Sequence, residues 1–242
     1  MGNLVSRISL LHLLLLGLFL TLSGFCFLGE VESLGINYGQ VGNNLPPPDR
    51  VLDLLRSLKL TKARIYDTNP QILTAFANSN IELIVTVENQ MLPILMDPNQ
   101  AFQWVHTHIR PYFPATRITG IAIGNEVFTG GDTALISYLV PAMVNIHAAL
   151  VRFGLDRFIQ VSTPSSLAVL QESFPPSAGC FRPELNRIMP QFLRFLAATK
   201  AHFGSTRTRI SRTKTTRIVF LWTTCFSTRI REWWTLHQLT LR

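Results

Sequence analysis

Cysteine is scarce in this sequence: three residues in 242, at Cys26, Cys180 and Cys225. That number excludes a disulfide scaffold, and nothing in the spacing pairs them. Charge is also thin, at 15% of residues against 47% hydrophobic, which excludes an acidic disordered chain and a coiled coil. No Asn-x-Ser/Thr sequon occurs, so no glycan site marks the chain as exported. His106 and His108 are two residues apart and point to different sides of a helix, and no metal or other cofactor is expected. Acid is nearly missing from the C-terminal part. Residues 200–242 hold nine Lys/Arg against Glu232 alone, whereas residues 1–199 hold 13 of each sign. The whole formal net charge of +8 therefore sits in the last 43 residues, and the two compositions need separate explanations.

The N-terminus has the layout of an export signal. A short polar stretch, Met1 to Arg7, is followed by a Leu-rich apolar run, Ile8 to Phe27, and then by small residues around Gly29 and Ser33. A signal anchor is the rival, because the run approaches the roughly 20 residues that span a bilayer. Met1-Gly2-x-x-x-Ser6 also fits an N-myristoylation pattern. The expectation is a cleaved signal over residues 1–33, a secreted or wall-located product, and no stable membrane span after cleavage.

From Leu34 the pattern becomes regular. Short apolar runs at Leu34–Tyr38, Ala63–Tyr66, Ile81–Val87, Ile118–Ile123 and Phe158–Val161 read as strands. Helical spacing follows each one. The first helical stretch opens after Pro46-Pro47-Pro48 with Val51, Leu54, Leu55 and Leu58 recurring. The next starts at Asn69-Pro70 with Ile72, Leu73, Phe76 and Ala77. Pro93–Ile109 is broken at Asp97-Pro98, and Thr133–Phe153 and Glu184–Ala198 complete the set. Five strand-then-helix units imply a parallel sheet with right-handed crossovers. An open doubly wound sheet and a (β/α)8 barrel both fit. The first turn, Gly39-Gln40-Val41-Gly42-Asn43-Asn44, lacks the G-x-G-x-x-G order that a dinucleotide-binding open sheet uses. Polar residues instead collect at the carboxyl end of every strand: Tyr38, Asp67, Glu88-Asn89-Gln90, Asn125-Glu126 and Ser162-Thr163. A barrel builds its site there.

The strand Ile118–Ile123 is apolar except for Thr119 and delivers Asn125 and Glu126 to a half-buried position. A carboxyl in such a place holds its proton nearer neutrality, which suits a general acid protonating a glycosidic oxygen. A helix-capping or surface Glu in a strand-to-helix loop is the plainer alternative. His147, among apolar helix positions, reads as a packing residue. Asp67 either shapes a cleft or caps the helix at Asn69-Pro70.

Several motifs stand in one order: Gly35-Ile36-Asn37-Tyr38-Gly39, Asn43-Asn44-Leu45-Pro46-Pro47-Pro48, Arg64-Ile65-Tyr66-Asp67-Thr68, Gly124-Asn125-Glu126-Val127-Phe128, Val140-Pro141-Ala142-Met143 with Ile146-His147-Ala148-Ala149-Leu150, and Ser162-Thr163-Pro164 with Phe174-Pro175-Pro176-Ser177. Over residues 34–199 the chain resembles the plant glucan endo-1,3-β-glucosidases of glycoside hydrolase family 17. The resemblance implies a (β/α)8 barrel, of which about the first five βα units are present, and retaining hydrolysis of β-1,3-glucan by a monomer. By the same resemblance Glu126 takes the general acid/base position, Asn125 that of the Asn beside the cleaved bond, and Tyr38 that of a cleft residue. Asn89 stands at a further substrate position, within Val87-Glu88-Asn89-Gln90 where many relatives carry a Pro-Asn-Glu type sequence.

The resemblance also implies a nucleophilic Glu on a later strand, inside a Ser-Glu-Thr-Gly-Trp type motif. No such motif occurs, and the only acid after Glu184 is Glu232, in Arg231-Glu232-Trp233-Trp234. The tail has a nucleotide-level explanation. A family-like continuation, Trp-Ile-Asn-Ala-Tyr-Pro-Tyr-Phe-Ala-Tyr, encoded TGG ATC AAC GCG TAC CCG TAT TTC GCG TAC and read one base later, gives Gly-Ser-Thr-Arg-Thr-Arg-Ile-Ser-Arg, the sequence from Gly204 to Arg212. With suitable codons, an invented family-like peptide that begins this way and continues Lys-Asp-Asn-Pro-Asn-Arg-Ile-Ser-Leu-Asp-Tyr-Met-Phe-Phe-Asn-Pro-Asn-Pro-Gly-Met-Val-Asp-Pro keeps the agreement through all 33 residues from Gly204 to Leu236, and most bases are fixed by both peptides together. Residues 200–242 are therefore expected to be a basic, disordered tail translated out of frame, and the chain to be inactive. Two other readings stay open: a non-catalytic glucan-binding remnant, and a basic nucleic-acid-binding protein that uses Trp222, Trp233 and Trp234 to stack on bases.

Overall fold

The computed structural model describes residues 35–206. The expected signal at 1–33 and most of the basic tail lie outside the described residues. Five parallel strands pair in strict chain order: β1 (Gly35–Tyr38), β2 (Lys62–Ile65), β3 (Glu82–Val87), β4 (Ile118–Ile123) and β5 (Gln160–Ser162). The helices between them are α1 (Pro48–Ser57), α2 (Pro70–Ala75), α3 (Pro98–His108) and α4 (Ala134–Phe153). Strand order decides between the two architectures the sequence allows. A doubly wound sheet reverses its strand order at a switch point, whereas an unreversed series of right-handed crossovers puts every helix on one face. This order is unreversed, as in a (β/α)8 barrel.

Local chemistry starts the helices where the sequence suggests. Proline opens α1, α2 and α3, where its missing N–H costs nothing. Asn69 and Asp97 cap α2 and α3 by accepting from the N–H groups of Gln71 and Asn99 at 2.9 and 2.8 Å. The break expected at Asp97-Pro98 is this cap, with a short 3-10 turn, Ile94–Met96, before it. α4 ends at Gly154, whose φ of 69° suits the left-handed cap. It is long and apolar enough to cross a membrane, but Leu139, Val140, Ala142, Met143, Ile146, Ala149 and Leu150 are buried in the core.

Two expectations shift. The Val51–Leu54–Leu55–Leu58 stripe of α1 is not the buried one. Val51, Leu52 and Leu55 face the core, while Leu54 and Leu58 are 53% and 58% exposed, because the helix is turned by about one residue. The last helix, α5, spans Met189–Thr199 and is preceded by a separate 3-10 turn at Pro183–Leu185 rather than running from Glu184.

After β5 the chain continues through Thr163 into β6 (Pro164–Ser166), then a small antiparallel hairpin, β7 (Leu170–Glu172) and β8 (Cys180–Phe181). β9 (Gly204–Thr206) follows α5 and pairs in parallel with β6, Pro164 opposite Gly204. The first residues of the basic tail thus form a strand alongside β6.

The sheet has two unlike faces. Ile36, Ala63, Ile65, Leu83, Val85, Val87, Ile121, Ile123 and Val161 share the face covered by helices and belong to one hydrophobic cluster. Each fully buried aliphatic side chain contributes about 1.5–3 kcal/mol. The other face, the inner one in a barrel, carries Asn37, Arg64, Ile84, Thr86, Gly120, Ala122, Gln160 and Ser162. The side-chain period of two puts polar and apolar sets on opposite sides.

Candidate active site

The carboxyl end of β4 is built for a special backbone. Gly124 has φ of +68°, and a Cβ there would lie 2.5 Å from Val127 Cγ2 and 2.9 Å from Asn89 Oδ1. Only glycine fits both the conformation and the space. Glu126, two residues on, is itself left-handed, with φ 52° and ψ 34°. A non-glycine residue pays about 1–2 kcal/mol for that conformation, and the surroundings hold it there. Its N–H donates to the Pro164 carbonyl at 3.0 Å, and its own carbonyl accepts from the Thr129 N–H at 3.1 Å. The Glu126 backbone is thus tied to β6 on one side and to the turn Val127–Thr129 on the other.

Asn125 is held at three points. Its N–H donates to Asn89 Oδ1 at 2.7 Å, and its carbonyl accepts from Asn89 Nδ2 at 3.3 Å. Its side-chain Oδ1 accepts from Arg64 Nη2 at 2.9 Å. Arg64 is 1% exposed. Its Nε donates to Thr86 Oγ1 at 3.2 Å, and the Thr86 hydroxyl donates to the Ile65 carbonyl at 2.7 Å. The guanidinium lies 4.6 Å from the centre of the Tyr66 ring. Burial lowers the Arg64 pKa to about 10, against the opposing pull of Tyr66 and Glu126, so the group remains a cation at neutral pH. A buried cation beside a carboxylate-bearing loop sets a positive field at the site. Among the described residues, Arg64 Nη1 has no hydrogen-bond partner, and neither does buried Asn37 Oδ1 on the in-register neighbour. An unpaired donor next to an unpaired acceptor is the complement of a hydroxyl group.

The structure brings Asn89, Asn125 and Glu126 together, all at half-buried positions. Asn89 spends both ends of its amide on the main chain of Asn125. Tyr38 stands apart from them. It packs against the hydrophobic cluster, and burial, followed by the charge of Asp67, raises its phenol pKa. Asp67 braces two loops, accepting from Gln40 Nε2 at 2.7 Å and the Asn69 N–H at 3.1 Å, while Asn69 provides the helix cap. His147 sits edge-on to Phe195, and His106 and His108 diverge toward Phe153 and Trp104. Sequence reasoning placed Arg64 in a motif but not in the site. The available signal was an arginine inside an otherwise apolar strand, facing the side away from the helices.

The sequence profile of the Glycosyl hydrolases family 17 matches residues 34–208. Among curated proteins, the chain is 48% identical over 169 residues to glucan endo-1,3-beta-glucosidase 10 of Arabidopsis thaliana, covering 70% of this chain and 40% of that one. It is 40% identical over 191 residues to the glucan endo-1,3-beta-D-glucosidase of Olea europaea, covering 78% and 42%. Among solved structures, CJP38, a β-1,3-glucanase and allergen of Cryptomeria japonica pollen, superposes with a TM-score of 0.71 at 39% identity, covering 73% of this chain and 56% of that one. The chain therefore spans less than half the length of these curated relatives.

Proposed function

This chain belongs to the Glycosyl hydrolases family 17, and from that premise we propose that its cleft takes a β-1,3-linked glucan, with Glu126 as the acid/base carboxyl. The observation that carries the reading is the pinned pair at the end of β4: Glu126 held left-handed by Pro164 and Thr129, beside an Asn125 whose position is already set. A retaining reaction asks Glu126 to protonate the glycosidic oxygen while a second carboxylate, about 5–5.5 Å away, attacks the anomeric carbon. Asn89 acts through Asn125 by holding its main chain. The Leu-rich segment within residues 1–33 sends the product out of the cell, to the wall where such glucan lies.

The second carboxylate is not in the frame that this sequence reads. Residues from Gly204 on carry the shifted-frame pattern, and no acid other than Glu232 follows Glu184. On this reading these 242 residues do not supply the second carboxylate, and they bind glucan without cleaving it. Two measurements test this. Resequencing the transcript across the codons for 200–204 shows one base gained or lost, and an unbroken frame there would overturn the shift. Reducing-sugar release from laminarin is absent for the chain as given and present once the frame is restored. It then falls at least about 100-fold on Glu126→Gln, the scale of losing a general acid. Hydrolysis by the 242-residue chain that disappears on Glu126→Gln would show the second carboxylate to be unnecessary.

A further inference from the structure

Away from the cleft, two helix ends gather aromatic rings and cations. Phe102 of α3 and Phe153 at the end of α4 stack with ring centres 4.6 Å apart and planes 15° from parallel. The Arg152 guanidinium lies 3.9 Å from the centre of the Phe102 ring, and that of Arg110 lies 5.6 Å from the centre of Phe153. The His106 ring is 6.1 Å from Phe153. Both phenylalanines are half-buried, while Arg110, Arg152 and His106 are exposed. A crossover helix runs back against its strands, so α3 and α4 finish where the strands begin, at the opposite end from Asn125 and Glu126. Helix C-termini favour cations, which accounts for one charge at each helix end. It does not account for two guanidiniums on one pair of rings without a carboxylate. No acid occurs on α3 or α4, and among the described residues neither Arg110 nor Arg152 makes an ion pair. Asp156, the acid nearest to Phe153 along the chain, pairs with neither.

We propose that this cluster is a second polysaccharide site, for a polymer of uronic acids whose carboxylates pair with Arg110 and Arg152. The rings are taken up by each other and by the guanidiniums, which leaves no platform for a nucleic-acid base. Half-buried rings beneath cations also give no apolar wedge to enter a bilayer. Carboxylates on a sugar chain need only the N–H groups of the guanidiniums, which the planar fork meets two at a time. Holding both arginines against rings fixes them before the ligand arrives, so less side-chain freedom is lost on binding. The choice of occupant rests on the export reading above, which sets the chain among wall polysaccharides, and not on the glucan reading of the cleft. From the far end of the sheet such a polymer tethers the chain while leaving the cleft open.

The test uses the full 242-residue chain, because the basic residues of 200–242 also attract any polyanion. A soluble oligogalacturonate is titrated at low salt against the parent, against Arg110→Gln/Arg152→Gln, and against Arg212→Gln/Arg217→Gln, which removes as much charge from the tail. The Arg110/Arg152 pair is expected to bind about tenfold more weakly than the parent, the scale of two exposed ion pairs, and more weakly than the tail pair. Its affinity should also depend less steeply on salt. Phe102→Leu keeps both charges but frees Arg152, and should fall between the parent and the Arg110/Arg152 pair. The methyl-esterified oligomer, with its carboxylates capped, should no longer distinguish the parent from that pair. Parental affinity in Arg110→Gln/Arg152→Gln, or an equal loss in the two pairs, would overturn the site. An equal loss toward an oligodeoxynucleotide of the same charge would make the cluster a general polyanion surface and overturn the uronate assignment. Should Phe102→Leu fail to fold, the two exposed arginines carry the decision. A β-1,3-linked glucopentaose should bind the parent and the Arg110/Arg152 pair alike. A parent that does not bind the pentaose overturns the glucan reading and leaves this site standing.

Discussion

On the outer face of the sheet, Leu83, Val85, Ile121 and Val161 are 0–1% exposed and packed under helices. On the inner face, Ile84 and Ser162 are half-buried, Gln160 is exposed, and Arg64 is buried with one donor unpaired. Both sets come from the same strands, alternating residue by residue. The outer face is saturated: every apolar group has apolar neighbours, and its energy comes from area removed from water. The inner face is unsaturated and holds its polar groups through a few directed bonds. One face makes the fold, and the other holds the polar groups of the candidate site.

Adjacent residues of β3 give the sharpest test of that contrast. Leu83→Ala should cost about 2–5 kcal/mol in denaturant unfolding. Ile84→Ala, one residue along and on the other face, should cost clearly less, about 1 kcal/mol, because its side chain is already half in water. Equal costs would erase the distinction between the faces.

Gly124→Ala attacks the junction where the outer-face strand delivers the inner-face site. The new Cβ would collide with Val127 and with the side-chain oxygen Oδ1 of Asn89, at a φ that L residues resist. A loss of about 1–3 kcal/mol is expected, with glucan affinity falling in parallel as Asn89 is pushed off Asn125. Unchanged affinity would uncouple Asn89 from the site.

The amino end of the inner face should matter less. Glu82 meets Lys62 at 3.5 Å and Arg117 at 3.1 Å, both partners being about half exposed. Glu82→Gln is expected to cost about 0–1 kcal/mol and to cost less still in high salt. A loss that persists in salt would show that this end, too, is built on fixed polar contacts.

The smallest effect concerns pH. Burial lowers the His108 pKa, with Glu88 pulling the other way, and the ring bonds Thr68 Oγ1 at 3.0 Å. The folded chain resists protonating this ring more than the unfolded chain does. Its share of stability is complete above the ordinary histidine range, near 6.5, and declines as pH falls below it. His108→Gln should flatten that part of the stability-versus-pH curve, and an unaltered slope would clear His108 of the effect.

How much of this was legible depends on the length scale. The alternation of strands and helices could be read because each unit is local: an apolar run, then a Pro or Asx start, then a 3.6-residue stripe. Asn125 and Glu126 stood out because an apolar strand ended on them. The short pieces were harder. β5 begins at Gln160 rather than Phe158, whose ring is instead 55% exposed and lies against Phe113 at 5.6 Å. The β6–β9 pairing and the β7–β8 hairpin join strands of two or three residues, too short to show any period.

By itself the sequence determined where the main strands and helices fall, because that follows from neighbours a few positions apart, whereas the difference between the two faces of the sheet appears only in the paired strands. Only the tertiary structure decided that Arg64 belongs to Asn125, 61 residues away, and Asn89 to the same residue across 36. The parallel register of β2, β3 and β4 brings those strand ends together. Register is set by how the outer face packs under its helices, so the inner site is a consequence of a core in which it takes no part.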